Sequence, residues 1–336
     1  MRFRLDAEQR EFAHSLDAMV SAAGPTAAIR AWSAGDTGPG RALWARLAEA
    51  GVFALAVPEE HEGVGPLPVE LAVTFRELGR HAVPGPLVET VAAAALLDRL
   101  GGAVAAAWLP GIASGKTVAT LCMTSVDGAG GSPYALDAAS ADAVFVVDTD
   151  GDGCVLRLAE SAGPVQPSSD PARRLARPVG GAVLARGAEV TAAAAHAAEV
   201  AALAVAAQAL GVGRALLART VEYVGGRRQF GVAVGSFQAV KHRLADTLIA
   251  LEFAEPLLHA AALALAADSP DARRDVAAAK VSACEAAYAA ARTALQSHGA
   301  LGYTEELDLS LWIRKARALR TAWGTPSECR ARVLAS

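Results

Sequence analysis

From Ala188 to the C-terminus, long alanine-rich segments built from good helix formers dominate the chain, at about Ala192–Val224, Phe237–Ala266, Pro270–Gly299 and Leu307–Ala322. Alanine loses no side-chain entropy on entering a helix, so such runs favour helix strongly over strand. Helices of that length with short connections bury their apolar faces against one another, which predicts a four-helix bundle over 188–336. The segments share no fixed period and are not a repeat.

Two further regions precede the bundle. Over 1–103 the apolar residues recur at helical spacing, as in Phe12, Leu16 and Met19 or Leu43, Leu47 and Val52, and the Pro- and Gly-bearing stretch Val57–Gly65 reads as a loop between helices. Over 104–187 the pattern changes to short β-type runs, Thr117–Cys122 and Ala143–Val147, bounded by Gly, Asp and Ser. The turn Asp148-Thr149-Asp150-Gly151-Asp152-Gly153 resembles a calcium loop, but its twelfth position is Ala159 where a bidentate glutamate is required, so a hairpin turn is expected. The predicted fold class is therefore mainly α with a small β domain between two helical ones.

Composition narrows the function. In 336 residues, 53% hydrophobic and 20% charged content specifies a large core, and a net charge of −4 with scattered Lys and Arg offers no face for nucleic acid. The longest apolar tract, Val200–Leu217, is broken by Gln208, Gly211, Gly213 and Arg214 and reads as a buried helix, not a membrane span. The N-terminus, Met1 to Asp6, turns polar at once, which leaves a cytoplasmic protein as the expectation. Cys122, Cys154, Cys284 and Cys329 are far apart and predict neither a disulfide scaffold nor a metal site. His196, His242, His259 and His298 have no partner at the spacing of a triad or metal site and are read as structural.

Several short words carry more. They are Arg227-Arg228-Gln229-Phe230-Gly231 followed by Phe237-Gln238, then Gln296-Ser297-His298-Gly299-Ala300-Leu301-Gly302-Tyr303, and in the first region Leu43-Trp44, Ala48-Glu49-Ala50-Gly51, Pro58-Glu59-Glu60 and Glu77-Leu78-Gly79-Arg80. Together they resemble the acyl-CoA dehydrogenases over nearly the whole chain. The resemblance implies the helix, β and helix domain order and an FAD cofactor. It also implies that Arg227, Phe230 and Gln238 hold the adenosine diphosphate half of FAD across a subunit interface, with Gln229, Val234, Phe237, Gln296, Gly299 and Thr325 as further cofactor contacts. The chemistry suits those types: a guanidinium offers a rigid fork of donors to pyrophosphate, an aromatic ring packs against adenine, and glycine lets backbone approach a ligand. Ala300 stands where the family pattern has a second glycine.

Family chemistry removes an α proton from an acyl-CoA with a carboxylate while hydride leaves the β carbon for flavin N5. The base usually stands in a Glu-Gly-Thr triplet; here the triplet is Trp323-Gly324-Thr325, and indole has no basic site. The family's alternative position on the first bundle helix falls on Ala201. Glu199, two residues away, points about 200° around the helix. Glu328 reads as a surface group or a relocated base, while Glu305 and Glu306 read as a helix start after Thr304 as cap. The flavin-ring cradle is also degraded: Thr124–Ser132 only loosely matches its Thr-Glu-Pro-x-x-Gly-Ser segment, its Gly-x-Lys-x-Trp-Ile segment has no counterpart, and the stretch between Val147 and Val183 looks trimmed of strands.

These losses imply a non-catalytic subunit resembling the short, glutamate-lacking chains of actinobacterial steroid side-chain catabolism. The expected partner is a catalytic acyl-CoA dehydrogenase subunit in an α2β2 heterotetramer. That partner would bind most of the acyl-CoA, and electron-transfer flavoprotein would take the electrons. Open alternatives are a self-sufficient enzyme using Glu328 or Glu199, a flavin-free assembly subunit, and a flavin enzyme of the same fold doing other chemistry such as oxygen activation.

Overall fold

The computed structural model describes residues 5–124, 132–151 and 153–335. Six helices come first: α1 (Ala7–Ala22), α2 (Pro25–Ser33), α3 (Gly38–Glu49), α4 (Pro68–Arg80), α5 (Leu87–Leu100) and α6 (Gly102–Ala113). Local chemistry sets their starts. A capping box opens α1, with Gln9 N–H donating to Asp6 Oδ1 at 2.8 Å and Asp6 N–H to Gln9 Oε1 at 3.1 Å. Proline, whose missing N–H costs nothing in a first turn, opens α2, α3 and α4. Helix α6 runs across the expected boundary at residue 103.

Strands β1 (Ala119–Met123), β2 (Ala135–Leu136), β3 (Ala143–Asp150), β4 (Gly153–Leu158), β5 (Val165–Gln166), β6 (Leu175–Ala176) and β7 (Ala182–Gly187) form two sheets, ordered β1-β3-β4-β7 and β2-β6-β5. Strands β4, β5 and β6 occupy the stretch that the sequence made look trimmed. β1 lies parallel to β3, and β3 pairs antiparallel with β4 in a register that sets Asp150 opposite Gly153, the two-residue hairpin expected there; Asp152 itself lies outside the described residues. β1 is buried along its length and is tied to α5 by the Thr90 hydroxyl, which donates to the Ala119 carbonyl at 2.5 Å.

The chain then enters α7 (Ala188–Gly226), passes through a small hairpin β8 (Arg228–Gln229) and β9 (Val232–Ala233), and continues as α8 (Gln238–Ala266), α9 (Ala272–His298), α10 (Leu309–Leu319) and α11 (Pro326–Leu334). Helices α7 to α10 make the expected bundle, and α11 is a fifth helix that sequence reading did not place. Three local expectations are corrected. α7 starts at Ala188, directly out of β7. α10 covers Leu309–Leu319, shorter than Leu307–Ala322. Thr304 does not cap a helix: its hydroxyl donates to the Leu301 carbonyl at 2.9 Å, closing a 3-10 turn, while Glu305 pairs with Arg314 at 2.7 Å.

Helix α7 is the axis of the molecule. Its most apolar window is 89% buried, under α4, α5, α8, α9 and α10, whereas the corresponding window of α8 is only 33% buried. The crossing of α4 over α7 has no room for side chains: a Cβ on Gly211 would lie 1.9 Å from the Arg76 carbonyl oxygen, and one on Gly79 would lie 2.0 Å from that of Gln208. Across the bundle, buried Trp312 donates its indole N–H to the Arg80 carbonyl at 2.8 Å, under the Arg219 guanidinium at 3.7 Å.

Alanine is favoured over glycine in a helix interior by about 1 kcal/mol, yet Gly211→Ala is expected to destabilise the chain by about 2–3 kcal/mol, because the clash is with backbone that cannot yield. Urea unfolding of the two proteins checks this; a stabilised variant would show that α4 and α7 separate freely.

Candidate cofactor and acyl clefts

The structure gathers five of the sequence-predicted cofactor residues at one place. Helix α7 stops at Gly226 because Arg227 turns extended, and Arg227 N–H still donates to the Tyr223 carbonyl at 2.8 Å. The β8–β9 hairpin then reverses the chain through Phe230 (φ 52°) and Gly231 (φ 80°), both left-handed as this tight turn requires. Alongside, α9 ends at His298 and Gly299 supplies the left-handed C-cap (φ 59°). With no atom within 4 Å of a Cβ built there, Gly299 serves backbone conformation and does not relieve crowding within this chain. His298 stacks on Tyr223 with ring centroids 4.0 Å apart and its Nδ1 pairs with the Ala294 carbonyl at 2.8 Å, so the two helix ends are pinned together.

The result is an open cleft of about 350 Å³ lined by Arg227, Gln229, Val234, Gln296 and Gly299. Among the described residues the Arg227 guanidinium has no hydrogen-bond or ion-pair partner, which leaves its full donor fork to a ligand. Phe230, Phe237 and Gln238 do not line the cleft. Phe230 is 92% exposed and meets Phe237 edge-on at 6.4 Å, while Gln238 begins α8 on the same outer surface. A free guanidinium, two carboxamides and a projecting aromatic pair fit an anionic ligand with a flat ring, the description of an adenosine diphosphate group.

Thr325 lies elsewhere, on a second cleft of about 420 Å³ between the β domain and the α10–α11 turn, with Trp323, Gly324 and Glu328. The turn is held firmly. Trp323 is left-handed at φ 55°, an unusual conformation for a bulky residue, and Gly324 follows at φ 120°. Lys280, 1% exposed, donates to the Gly324 carbonyl at 3.1 Å and the Leu319 carbonyl at 3.3 Å. Thr325 then caps α11: its hydroxyl accepts from Glu328 N–H at 3.2 Å, and Glu328 Oε2 accepts from Thr325 N–H at 2.7 Å. Glu328 is thereby engaged as a helix cap.

This geometry turns the Trp323 indole onto the other wall, where its N–H donates to Glu89 Oε1 at 3.1 Å. Glu89, on α5, is 3% exposed; its Oε2 has no partner and the Arg173 guanidinium stands 4.0 Å from Oε1. Behind it lie Asp137, Asp170 and Lys315, all buried, at the junction of the three regions. Burial pushes the Asp137 carboxyl up to about 7, opposed by the Trp32 indole hydrogen bond and Arg173. Burial likewise holds the Lys315 ammonium below its ordinary range, against the pull of Asp170. Sequence reading missed Glu89, although it is the one charge in Leu87–Leu97, an otherwise apolar helical stretch. Ala201 is buried in α7. Glu199 lines neither cleft; burial raises its carboxyl and Arg273, Arg332 and Arg99 pull it down. Residues 125–131, most of the degraded cradle segment, lie outside the described residues.

Asp137 is protonated more readily folded than unfolded, so the unfolded state gives up its proton first as pH rises, and stability falls between about pH 4 and about 7. Asp137→Asn removes that slope: urea unfolding at about pH 5 and about pH 8 is expected to show the variant gaining on the parent at the higher pH. An unchanged difference would mean that the carboxyl is ionised throughout.

Comparison with known proteins assigns the class. Residues 6–116 match the family described as the acyl-CoA dehydrogenase N-terminal domain, and 190–335 match the acyl-CoA dehydrogenase C-terminal domain. The chain belongs to the acyl-CoA dehydrogenase family, whose chemistry is oxidation at a CH–CH bond and whose cofactor is FAD. It is 34% identical over 310 residues to acyl-CoA dehydrogenase IpdE2 of Mycobacterium tuberculosis, covering 91% of this chain and 89% of that one. Among solved structures, a variant of the Tcur3481–Tcur3483 steroid ACAD superposes with a TM-score of 0.84 at 26% identity, covering 98% of this chain and 97% of that one. The ChsE4–ChsE5 complex from Mycobacterium tuberculosis shares the fold, with a TM-score of 0.84 at 24% identity over 100% of this chain and 98% of that one.

Proposed function

We propose that this chain is the non-catalytic subunit of a heteromeric FAD-dependent acyl-CoA dehydrogenase. It lends the adenosine diphosphate end of FAD its contacts while a catalytic partner supplies the base, the flavin-ring cradle and most of the acyl-CoA site. The observation that carries the reading is Trp323: at the family's base position stands an indole whose N–H is already spent on Glu89. A catalytic base must accept a proton at hydrogen-bond distance, and indole accepts none. The geometry also counts against the two relocated bases, since Glu328 is engaged in a cap and Glu199 lines neither cleft.

Two features support a partner. Ile249, Phe253 and Leu257 recur every fourth residue along α8 and are 51%, 72% and 41% exposed, an apolar ridge on one helix face. The exposed Phe230–Phe237 pair precedes the start of the same helix. Both suit burial against a related subunit in an α2β2 tetramer, the aromatic pair meeting the adenine side of a flavin shared with that subunit. When bound, FAD supplies the hydride acceptor; the residues of this chain bind and orient it through Arg227, Gln229 and Gln296. The steroid class of substrate follows the Tcur3481–Tcur3483 relative, described as a steroid ACAD. Electron-transfer flavoprotein as electron acceptor and the cytoplasm as location complete the reading.

Two experiments test it. Purified alone, the chain is expected to be colourless; co-expressed with its catalytic partner, it should give a yellow heterotetramer with one FAD per pair of unlike chains. In that complex Arg227→Ala is expected to lower flavin occupancy at least tenfold at limiting FAD, the loss of roughly 1.4 kcal/mol or more of charge-assisted hydrogen bonding. A yellow homo-oligomer, or an Arg227→Ala complex with full flavin, would sink the assignment. Separately, Glu89→Gln is expected to leave kcat of the complex within about twofold, whereas loss of a true base costs about 100-fold or more; a drop of that size would move the catalytic carboxylate into this chain.

A further inference from the structure

A third cavity, of about 280 Å³, lies apart from both clefts, between the α4 entry loop, α5, α7 and the end of α8. Its walls are hydrocarbon, with Leu71, Val200, Leu203 and Leu265 all buried. Two polar side chains open onto it. The His196 imidazole, on α7, has no hydrogen-bond partner among the described residues, and burial, helped by nearby Arg99, lowers its pKa to about 4, so the ring is neutral at physiological pH. The Asp98 carboxyl, on α5, also has no hydrogen-bond or ion-pair partner among the described residues, and partial burial raises its pKa. At the rim, Arg99 is tied to Asp268 at 2.6 Å, a strap from α5 to the end of α8.

A half-buried imidazole and carboxyl facing an apolar space are polar groups left without protein partners, an arrangement that costs stability unless water or a ligand completes it. The charges select among ligands. Arg99 and Asp268 are committed to each other and Glu60 stands 3.6 Å from His61, which leaves Asp98 as the unpaired charge on the cavity among the described residues, so an anion is repelled. Volume bounds the size: an apolar cavity of roughly 150 Å³ holds benzene, so the present one admits a substituted ring and is too small to enclose a CoA thioester. We propose that this cavity binds a small uncharged, mainly hydrocarbon molecule bearing one hydroxyl group, its ring between α4, α5, α7 and α8 and its hydroxyl shared by His196 and Asp98. Because the walls come from both the N-terminal helices and the bundle, occupancy ties the two together and stabilises the fold by mass action. The site is independent of the flavin cleft and of any catalytic partner.

The test is thermal unfolding of the full chain with cyclohexanol, methylcyclohexane and cyclohexanecarboxylate. Saturating cyclohexanol is expected to raise Tm by roughly 3 °C or more, methylcyclohexane by less, and the carboxylate not at all. His196→Leu should erase the preference for the alcohol over methylcyclohexane, and Leu203→Trp, which fills the cavity, should erase the shift. Should Leu203→Trp fail to fold, anomalous scattering from crystals soaked in 4-bromocyclohexanol locates the ligand directly, with bromine expected between Leu203 and Leu265. No alcohol shift, a shift retained in folded Leu203→Trp, a stronger response to the carboxylate, or bromine elsewhere only would overturn the proposal.

Discussion

Everything else in the molecule hangs on α7 being covered on nearly all sides. A helix so enclosed cannot carry a side chain where α4 crosses it closely, and the sequence complies with alanine at many of its buried positions and glycine where α4 touches. Glycine in a helix interior costs about 1 kcal/mol of propensity, but at Gly79 and Gly211 the alternative is a Cβ driven into a carbonyl, so packing decides. That close crossing fixes α4 and α5 against the bundle, and both ends of α7 then define a site. Its C-terminus presents Arg227, and its first half forms one wall of the His196 cavity.

The two clefts expected to share flavin chemistry differ in what their residues are free to do. At the Arg227 cleft the side chains of Arg227, Gln229 and Gln296 have no partner among the described residues, and the fold supplies their placement through two helix ends pinned by the Tyr223–His298 stack. At the Trp323 cleft nearly every group is engaged: indole with Glu89, Lys280 with two carbonyls, Glu328 with the Thr325 cap. Preorganisation of this kind resembles an active site, but the group held at the α10–α11 turn is an indole donor, and the carboxylate that faces it is Glu89 on α5. The buried Asp137, Asp170 and Lys315 behind Glu89 tie the three regions together at the same point, so the turn carrying Trp323 is braced by the whole molecule.

Helix content and helix ends were legible because each depends on neighbours in sequence. Alanine runs report helix, and Gly299 reports a helix end. What failed was equally local in appearance. Thr304 followed by two glutamates has the look of a helix start, yet Glu305 goes to Arg314 and its carbonyl to Arg30, and those partners belong to other elements. The capping box that Glu328 forms with Thr325 was not foreseen either, although its Thr-x-x-Glu spacing is local.

The amino-acid sequence by itself determined the helical bundle, the small β region and the family, because periodicity, propensity and motif spacing are properties of the chain alone. Only the tertiary structure decided that Arg227, Gln229, Val234, Gln296 and Gly299 share a cleft while Thr325 serves another, that Trp323 meets Glu89 from more than two hundred residues away, and that His196 faces a cavity. Those are contacts between elements distant in sequence, set by how α4, α5 and α10 close around α7, and no local pattern encodes them.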